Sequence, residues 1–236
     1  MLPLIVEDVS FATSGRTIID RVSCEFSAGP RTVILGPNGS GKSVLMRLCH
    51  GLLTPTAGRI VWRGTHDEQR PRAQAMVFQR PIMLRRAAVA NVTYGLALAG
   101  IGRTERDRRA REVLEAVGLS SIANRPARVL SGGEQQKLAL ARAWALKPEV
   151  LFLDEPTANL DPSATREVER IIGQIHLSGT KIVMTTHNLA QARRLADEIL
   201  FMSGGRLVDH ASVESFFAHP STPEAAAFIK GELPWG

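Results

Sequence analysis

The sequence is poor in cysteine and aromatic residues, and it contains no long apolar run. Two cysteines among 236 residues cannot form a disulfide framework, and apart from the adjacent pair Cys49-His50 neither stands at a metal-like spacing. No stretch approaches the roughly twenty apolar residues that a membrane-spanning helix needs, and residues 1–7 lack the order of a signal peptide. These absences predict a chain that folds without cross-links, with Cys24 and Cys49 as apolar filler, and that stays on the cytosolic side.

What is present is the composition of an ordinary globular protein, with 44% hydrophobic and 22% charged residues. The chain is long enough to bury a sizeable core. Its formal net charge of +6 is compatible with a nucleic acid, an anionic membrane surface or a polyanionic ligand, and charge alone does not choose among them. Because acidic residues interrupt the basic run 103–111, we expect that run to be a solvated helix face.

The apolar runs are of two kinds, which predict two kinds of sheet. Over the first thirty residues, short apolar stretches alternate with turns such as Ser14-Gly15, a pattern that predicts an antiparallel sheet. Four later runs are mostly uninterrupted, as strands buried on both faces are. They span residues 32–35, 75–78, 150–153 and 182–184. Between 81 and 147 the pattern becomes helical, which predicts an α/β fold with a mostly parallel core sheet, an N-terminal antiparallel β subdomain and a helical insertion.

Polar residues or a glycine follow the four buried runs, and they predict one shared site. They are Gly36, Gln79, Asp154 and His187. In a doubly wound sheet the ligand lies beyond the carboxyl ends of the parallel strands, so these residues are expected to point toward the same ligand. We expect a single domain over 1–236, with 81–147 as a helical subdomain and 1–80 and 148–236 as the core.

Residues 36–43 fit the phosphate-binding pattern G-x-x-x-x-G-K-[ST] and directly follow a strand-like run, which is the context that this pattern demands. Glycines let the backbone turn its N–H groups around a phosphate, and the helix that begins there directs its positive end at the anion. The alternative is a plain glycine turn between strand and helix. The predicted cradle comprises Gly36, Pro37, Asn38, Gly39, Ser40, Gly41, Lys42 and Ser43, with Lys42 on the outer phosphates and the Ser43 hydroxyl on Mg²⁺.

The run 150–153 delivers two adjacent carboxylates, Asp154 and Glu155, at its carboxyl end. As in the general arrangement of P-loop proteins, Asp154 is placed to hold Mg²⁺ through a water, and Glu155 is the candidate base for the attacking water. Two acidic residues that cap a turn at Pro156 are the alternative.

The stretch LSGGEQQ at residues 130–136 narrows the assignment. Ser131 and Glu134 predict a capping box that opens a helix, and Gly132 and Gly133 leave its first N–H groups uncovered for an anion. A capped structural helix is the alternative. With the cradle and the two carboxylates, this stretch matches the signature sequence of ABC ATPases, and the chain resembles that family from residue 4 to about 207.

The resemblance implies roles for further residues. Gln79 looks like the Q-loop glutamine of the family, Asp161 like the end of its D-loop, and His187 like the switch histidine that contacts the γ-phosphate. Implied ATP-binding residues outside the cradle are Gln79, Ser131, Gly132, Gly133, Glu134 and Asp161. Implied metal ligands are Ser43, Gln79 and Asp154, and the implied catalytic residues are Glu155 and His187.

The resemblance also implies cofactors and partners. ATP and Mg²⁺ would bind between two copies of the chain in a head-to-tail dimer, with the cradle of one copy facing Ser131 to Gly133 of the other. A groove near Gln79 would pass motion to membrane permease subunits, served by an extracytoplasmic solute-binding protein. The chain would act peripherally at the cytoplasmic face of the membrane, with no nucleic acid as partner.

The transported substrate is only weakly marked. Residues 80–86 and 91–96 are similar to prokaryotic importer subunits, and 228–233 add a likeness to oxyanion importers of the tungstate or phosphate kind. Phosphate, molybdate or amino-acid transport is the alternative. A chromosome-acting ABC ATPase would need a coiled coil between the two motifs, a ribosome-acting one would need a second cassette, and a P-loop kinase would need an acceptor site.

One position departs from the family. Members stack the adenine on an aromatic residue after the first strand, and counting back from Ile18-Ile19-Asp20 places Thr13 at that position. Phe11, two residues earlier, is expected to pack on its strand. The sequence therefore predicts that this chain lacks the usual aromatic stack.

Overall fold

The computed structural model describes residues 2–64 and 74–232. The described chain falls into two compact units, one made of residues up to 64 together with 181–232, and the other of 74–180. Leu233, the last residue of the segment likened to oxyanion importers, lies outside the described residues. None of the helices in the described ranges combines the length and the apolar character needed to cross a membrane. The subdomain boundaries 1–80, 81–147 and 148–236 stay a prediction.

The first unit contains two sheets. In chain order its elements are β1 (Leu4–Thr13), β2 (Arg16–Phe26), β3 (Thr32–Leu35), α1 (Lys42–His50), β4 (Ala57–Trp62), β7 (Lys181–Thr186), α6 (Leu189–Leu195), β8 (Glu198–Ser203), β9 (Arg206–Ser212), α7 (Val213–Ala218) and α8 (Pro223–Lys230). Strands β1, β2 and β4 form an antiparallel sheet in the order β2-β1-β4, which confirms the prediction from the first thirty residues. Strand β4 was not predicted.

The second sheet of this unit is mostly parallel. Strand β3 pairs in parallel with β7 on one side and β8 on the other, and β9 adds an antiparallel edge. Every residue of β3 and β7 is buried, as expected for strands covered on both faces. Behind this sheet Phe201 packs against Phe216 and Phe228, with ring centroids 5.7 and 5.1 Å apart.

Both cysteines belong to this unit and are free. Cys49 is buried and Cys24 is half-buried. Burial raises the pKa of both thiols, so neither is a reactive thiolate at neutral pH. The prediction that they act as apolar filler is confirmed for Cys49, whereas Cys24 keeps part of its surface exposed.

The second unit is mainly helical. Its elements are β5 (Gln74–Val77), α2 (Ala88–Leu98), α3 (Arg103–Ala116), two short 3₁₀ turns (Ser120–Ile122 and Ala127–Val129), α4 (Gly132–Trp144), β6 (Val150–Asp154) and α5 (Pro162–Leu177). Strands β5 and β6 pair in parallel. The parallel pairing in both units, with helices between the strands, confirms the predicted α/β class. The predicted strand 75–78 is shifted by one residue, because Phe78 lies beyond the last ladder pair and is 39% exposed.

Two features organise the helices of this unit. Helix α3 carries an exposed ion pair between Glu105 and Arg108 and a part-buried one between Glu105 and Arg109, which fits the prediction that the basic run is largely a solvated face. The buried Asn91 amide accepts from the Leu84 N–H at 3.0 Å and donates to the carbonyls of Arg86 and Ala87. This clamp fixes the segment that follows Gln79 against α2.

Candidate functional site

The phosphate-binding pattern forms a tight loop between β3 and α1 in the first unit. Gly36 leaves β3 so close to Met202 that a Cβ at this position would lie 2.1 Å from the Met202 carbonyl oxygen. Gly39 and Gly41 have φ angles of 76° and 96°, which favour glycine. Helix α1 begins at Lys42 without a side-chain cap, and its first backbone N–H groups have no acceptor inside the helix. An anion fits such an end.

The side chains around this loop suit a phosphate. Lys42 is buried, and its ammonium donates to the carbonyls of Gly36 and Pro37 at 2.8 Å each, so the loop holds the charge at its centre. The Ser40 hydroxyl is buried and makes no hydrogen bond within the described part of the chain. Ser43 adds a hydroxyl in the first turn of α1, an oxygen ligand of the kind that Mg²⁺ takes. The whole predicted cradle therefore forms one compact loop.

His187 leaves the same sheet edge as the cradle. Leu35 and Thr186 are register partners in the parallel pair β3–β7, so Gly36 and His187 are the next residue on each strand. The Thr186 hydroxyl donates to Gln191 at 2.8 Å, and the Asn188 side chain caps α6 by accepting the Gln191 N–H at 3.0 Å. His187 is thus held between a buried strand end and a capped helix, as a γ-phosphate contact would require.

In the second unit, β5 and β6 bring Gln79 and the two carboxylates to one edge. Val77 and Leu153 are register partners, so Gln79 and Glu155 each lie two residues beyond the last pair. Asp154 ends β6 and is only 3% exposed. Glu155 has a φ angle of 43°, a left-handed conformation that costs a non-glycine residue about 1–3 kcal/mol and that is found at active sites as well as in turns.

The signature stretch begins α4 with the predicted capping box. The Glu134 N–H donates to the Ser131 hydroxyl at 3.3 Å, and the Ser131 N–H donates to the Glu134 carboxylate at 2.7 Å. The backbone N–H and hydroxyl of Ser131 lower the pKa of Glu134, so this carboxylate stays charged at neutral pH. The carboxylate is therefore occupied in holding the start of the helix, and Ser131 and Gly132 remain exposed.

The two signature glycines have different surroundings. A Cβ on Gly133 would lie 2.8 Å from the Cβ of Ala164 in α5, so this glycine is required by packing inside the unit. A Cβ on Gly132 would approach nothing closer than Leu160 at 3.8 Å, which is ordinary contact. Packing within this unit therefore explains why residue 133 is a glycine, but it does not explain why residue 132 is one.

Asp161 caps α5 at the same end of the unit. Its carboxylate accepts the N–H groups of Ser163 at 2.8 Å and Ala164 at 3.0 Å. These bonds, that from Ala164 first, lower the pKa of the Asp161 carboxyl. Since Ala164 is also the neighbour of Gly133, the predicted D-loop and signature residues lie next to each other.

The structure thus gathers the predicted residues in two sets. Gly36 to Ser43 lie with His187 in the first unit, and Gln79, Asp154, Glu155, Ser131 to Glu134 and Asp161 lie in the second. That both sets serve one ligand stays a prediction.

Sequence reasoning missed two features of the second unit. One is the Asn91 clamp, for which a polar residue within an apolar helix was a signal. The other is the strained backbone of Glu155, for which the sequence gives no signal.

Comparison with known proteins found a matching family model and several relatives. Residues 19–158 match the family model described as ABC transporter. The chain is 36% identical over 207 residues to a tungstate uptake system ATP-binding protein of Peptoclostridium acidaminophilum, covering 87% of this chain and 97% of that protein. It is 35% identical to a phosphate import ATP-binding protein of Natronomonas pharaonis, covering 98% of this chain and 87% of the relative.

A solved structure shares the fold. The cbiO1 protein of Clostridium perfringens, described as part of an ABC transporter complex, superposes with a TM-score of 0.81 and 26% identity. The match covers 98% of this chain and 95% of that protein. The similarity therefore extends over the core and the helical segment alike.

Proposed function

We propose that this chain, which belongs to the ABC transporter family, binds Mg-ATP between two copies of itself and drives import through a membrane permease. The chain is an ATPase, as ATP-binding subunits of this family are, and its relatives serve import systems. The dimer, the metal and the residue roles that follow belong to the proposal.

The observation that carries the proposal is the cradle. The loop between β3 and α1 has glycines where its backbone passes close to Met202, a buried lysine at its centre and an uncapped helix end. The buried cation favours a bound phosphate over a simple turn, because a turn needs no buried charge. The uncapped helix end adds backbone donors for the same anion. We assign to Lys42 the outer phosphates and to the loop N–H groups the inner ones.

Hydrolysis is assigned to the residues at the strand ends. Glu155 orients and deprotonates the attacking water, and His187 donates to the γ-phosphate oxygens. Ser43, Gln79 and Asp154 are the residues that would hold Mg²⁺, and the metal would neutralise the charge that develops on the phosphates. The family binds ATP, and the oxygen-rich donor set suits this metal.

The head-to-tail dimer is supported by the signature glycines. Gly132 is exposed and has room for a side chain in its own unit, so packing in that unit does not explain why this residue is glycine. A phosphate held by a second copy would need that space and the uncovered N–H groups at the start of α4. Ser131, which is exposed beside it, would contact the same phosphate.

Docking of the permease is supported by the segment after Gln79. Ile82 is 76% exposed, and from Gln79 to Thr104 the chain has four arginines and no acidic residue. The exposed part of this segment, with its apolar and basic side chains, suits a permease loop with apolar and acidic residues. We propose that the chain works at the cytoplasmic face of the membrane and that the system includes an extracytoplasmic solute-binding protein.

For the substrate we propose an oxyanion such as tungstate. This rests on the relative from Peptoclostridium acidaminophilum, which is named for tungstate uptake. The relative from Natronomonas pharaonis is named for phosphate import, so phosphate is the second candidate.

The test is the Glu155→Gln variant, which removes the base and leaves the cradle intact. We expect ATP hydrolysis to be lost, ATP binding to be kept, and a stable dimer to form with Mg-ATP on size-exclusion chromatography. Lys42→Ala is the matched control, which should lose binding and show no dimer. Hydrolysis near the wild-type rate, or a monomer under all conditions, would count against the proposal.

A further inference from the structure

The β1–β2 hairpin is attached directly to the phosphate cradle. The Ile18 carbonyl oxygen lies 3.1 Å, and the Ile19 side chain 2.7 Å, from the position of a Cβ on Gly41. The Ile18 carbonyl oxygen also lies 2.5 Å from the position of a Cβ on Gly205. Gly205 in turn contacts the cradle, because its N–H donates to the Ser40 carbonyl at 3.2 Å. The hairpin is therefore held at a fixed place beside any phosphate that the cradle binds.

The tip of this hairpin has no aromatic residue. Thr13 and Arg16 are register partners on either side of the turn, and all residues from Ala12 to Thr17 are exposed. Arg16 is two strand residues from Ile18, about 7 Å along the chain. Its long side chain can therefore reach the space next to the cradle.

Arg16 differs from the other arginines of this sheet region. Arg206 and Arg21 bind Asp20, and Arg59 and Arg63 bind Glu7. The side chain of Arg16 makes no hydrogen bond or ion pair with any of the residues that the structure describes. Its guanidinium is available to a ligand.

Phe11 is committed to the sheet. It is the register partner of Ile19, whose side chain is fully buried, and opposite residues of an antiparallel pair share one face. Phe11 is half-buried as a result. It covers the Ile19 side of the sheet, and its ring is less accessible to a ligand than the Arg16 side chain.

We infer that Arg16 forms the surface on which the base of the bound nucleotide stacks. This inference rests on the proposed binding of ATP at the cradle. A guanidinium is planar and stacks on aromatic rings, so it can take the place of an aromatic side chain at the hairpin. Because every base offers a π-face, such a contact distinguishes adenine from guanine only weakly.

The experiment compares ligands with and without a base on the full chain. Dissociation constants are measured for Mg-ATP, Mg-GTP and inorganic tripolyphosphate with wild type, Arg16→Ala and Arg16→Lys. Arg59→Ala, an exposed arginine of the same sheet, is the matched control. We expect Arg16→Ala to weaken ATP and GTP binding about fivefold to a hundredfold and to leave tripolyphosphate unchanged. Arg16→Lys should remain weak, since lysine restores charge without a plane.

Three outcomes would overturn the inference. Equal weakening of tripolyphosphate would place Arg16 on the phosphates, and full recovery by Arg16→Lys would show that charge alone suffices. Weakening by Phe11→Leu with no effect of Arg16→Ala would make Phe11 the platform for the base. A wild-type chain that bound neither ATP nor tripolyphosphate would instead contradict the proposed function itself.

Discussion

The cradle at 36–43 and the signature at 131–134 both depend on glycine, and they differ in what requires it. In the cradle, a Cβ atom on Gly36 would lie 2.1 Å from a backbone oxygen. The fold of the first unit therefore allows no side chain at this position. In the signature, Gly133 is required by Ala164, but Gly132 has ordinary space around it. The cradle is thus complete within its own unit, whereas the signature leaves one glycine unexplained by its unit.

A site shared by two molecules can leave such a mark on a single chain. At Gly132 the glycine that packing does not require stands on an exposed helix start that also carries the signature sequence, and this combination supports a ligand or a second molecule at that end. Substitutions in the cradle should therefore disturb each chain by itself, whereas substitutions at Gly132 should disturb only the assembled pair.

The largest effect is expected from Gly36→Ala. The added methyl group would meet the Met202 carbonyl, so the loop must shift, and we expect both a lower melting temperature and loss of nucleotide binding. Thermal unfolding with and without Mg-ATP measures both. Gly173→Ala, within α5 and with open space at the Cβ, is the control and should keep the ATP-induced stabilisation. A full ATP-induced shift in Gly36→Ala would show that the close passage is not needed.

The second prediction concerns Ser131→Arg, which should abolish hydrolysis and leave nucleotide binding to the isolated chain nearly unchanged. The reason is that Ser131 is proposed to serve the ATP of the partner copy. Mixing this variant with Lys42→Ala should restore part of the ATPase rate, because one intact composite site can then form. A mixture no more active than its components would argue that each site is complete within one chain.

The third prediction separates the two signature glycines. Gly133→Ala should destabilise the chain by about 1–3 kcal/mol, because its Cβ would overlap Ala164. Gly132→Ala should leave the free energy of unfolding unchanged or slightly higher, since alanine favours a helix, and should still reduce ATP turnover. Urea unfolding and a steady-state ATPase assay test both variants. Normal turnover in Gly132→Ala would remove the support that this glycine gives to the dimer.

Sequence alone indicated the local parts well and the relations between them less well. The cradle and the capping box follow from short patterns whose geometry is set within about eight residues, so 36–43 and Ser131–Glu134 form as predicted. Strand β4 and the shift at Phe78 were missed because pairing depends on distant partners. The left-handed Glu155 and the tight contact of Ile18 with Gly41 could not be predicted, since tertiary packing imposes them.

The smallest effect is expected at the hairpin, from Thr13→Tyr. Thr13 is exposed and directly opposite Arg16, so a tyrosine there would stand beside the proposed base position and add an aromatic surface. Stacking of a base on an aromatic side chain contributes about 1–3 kcal/mol, which corresponds to about fivefold to a hundredfold in affinity. We expect Thr13→Tyr to tighten binding of a fluorescent ATP analogue within that range, without changing the affinity for tripolyphosphate.

Thr17→Tyr, at an exposed position on β2, is the control for this prediction. A substitution of Ser14 is less suitable, because Ser14 has a left-handed backbone. If Thr17→Tyr tightened binding and Thr13→Tyr did not, the base would lie against β2 and the position assigned to it opposite Arg16 would be wrong.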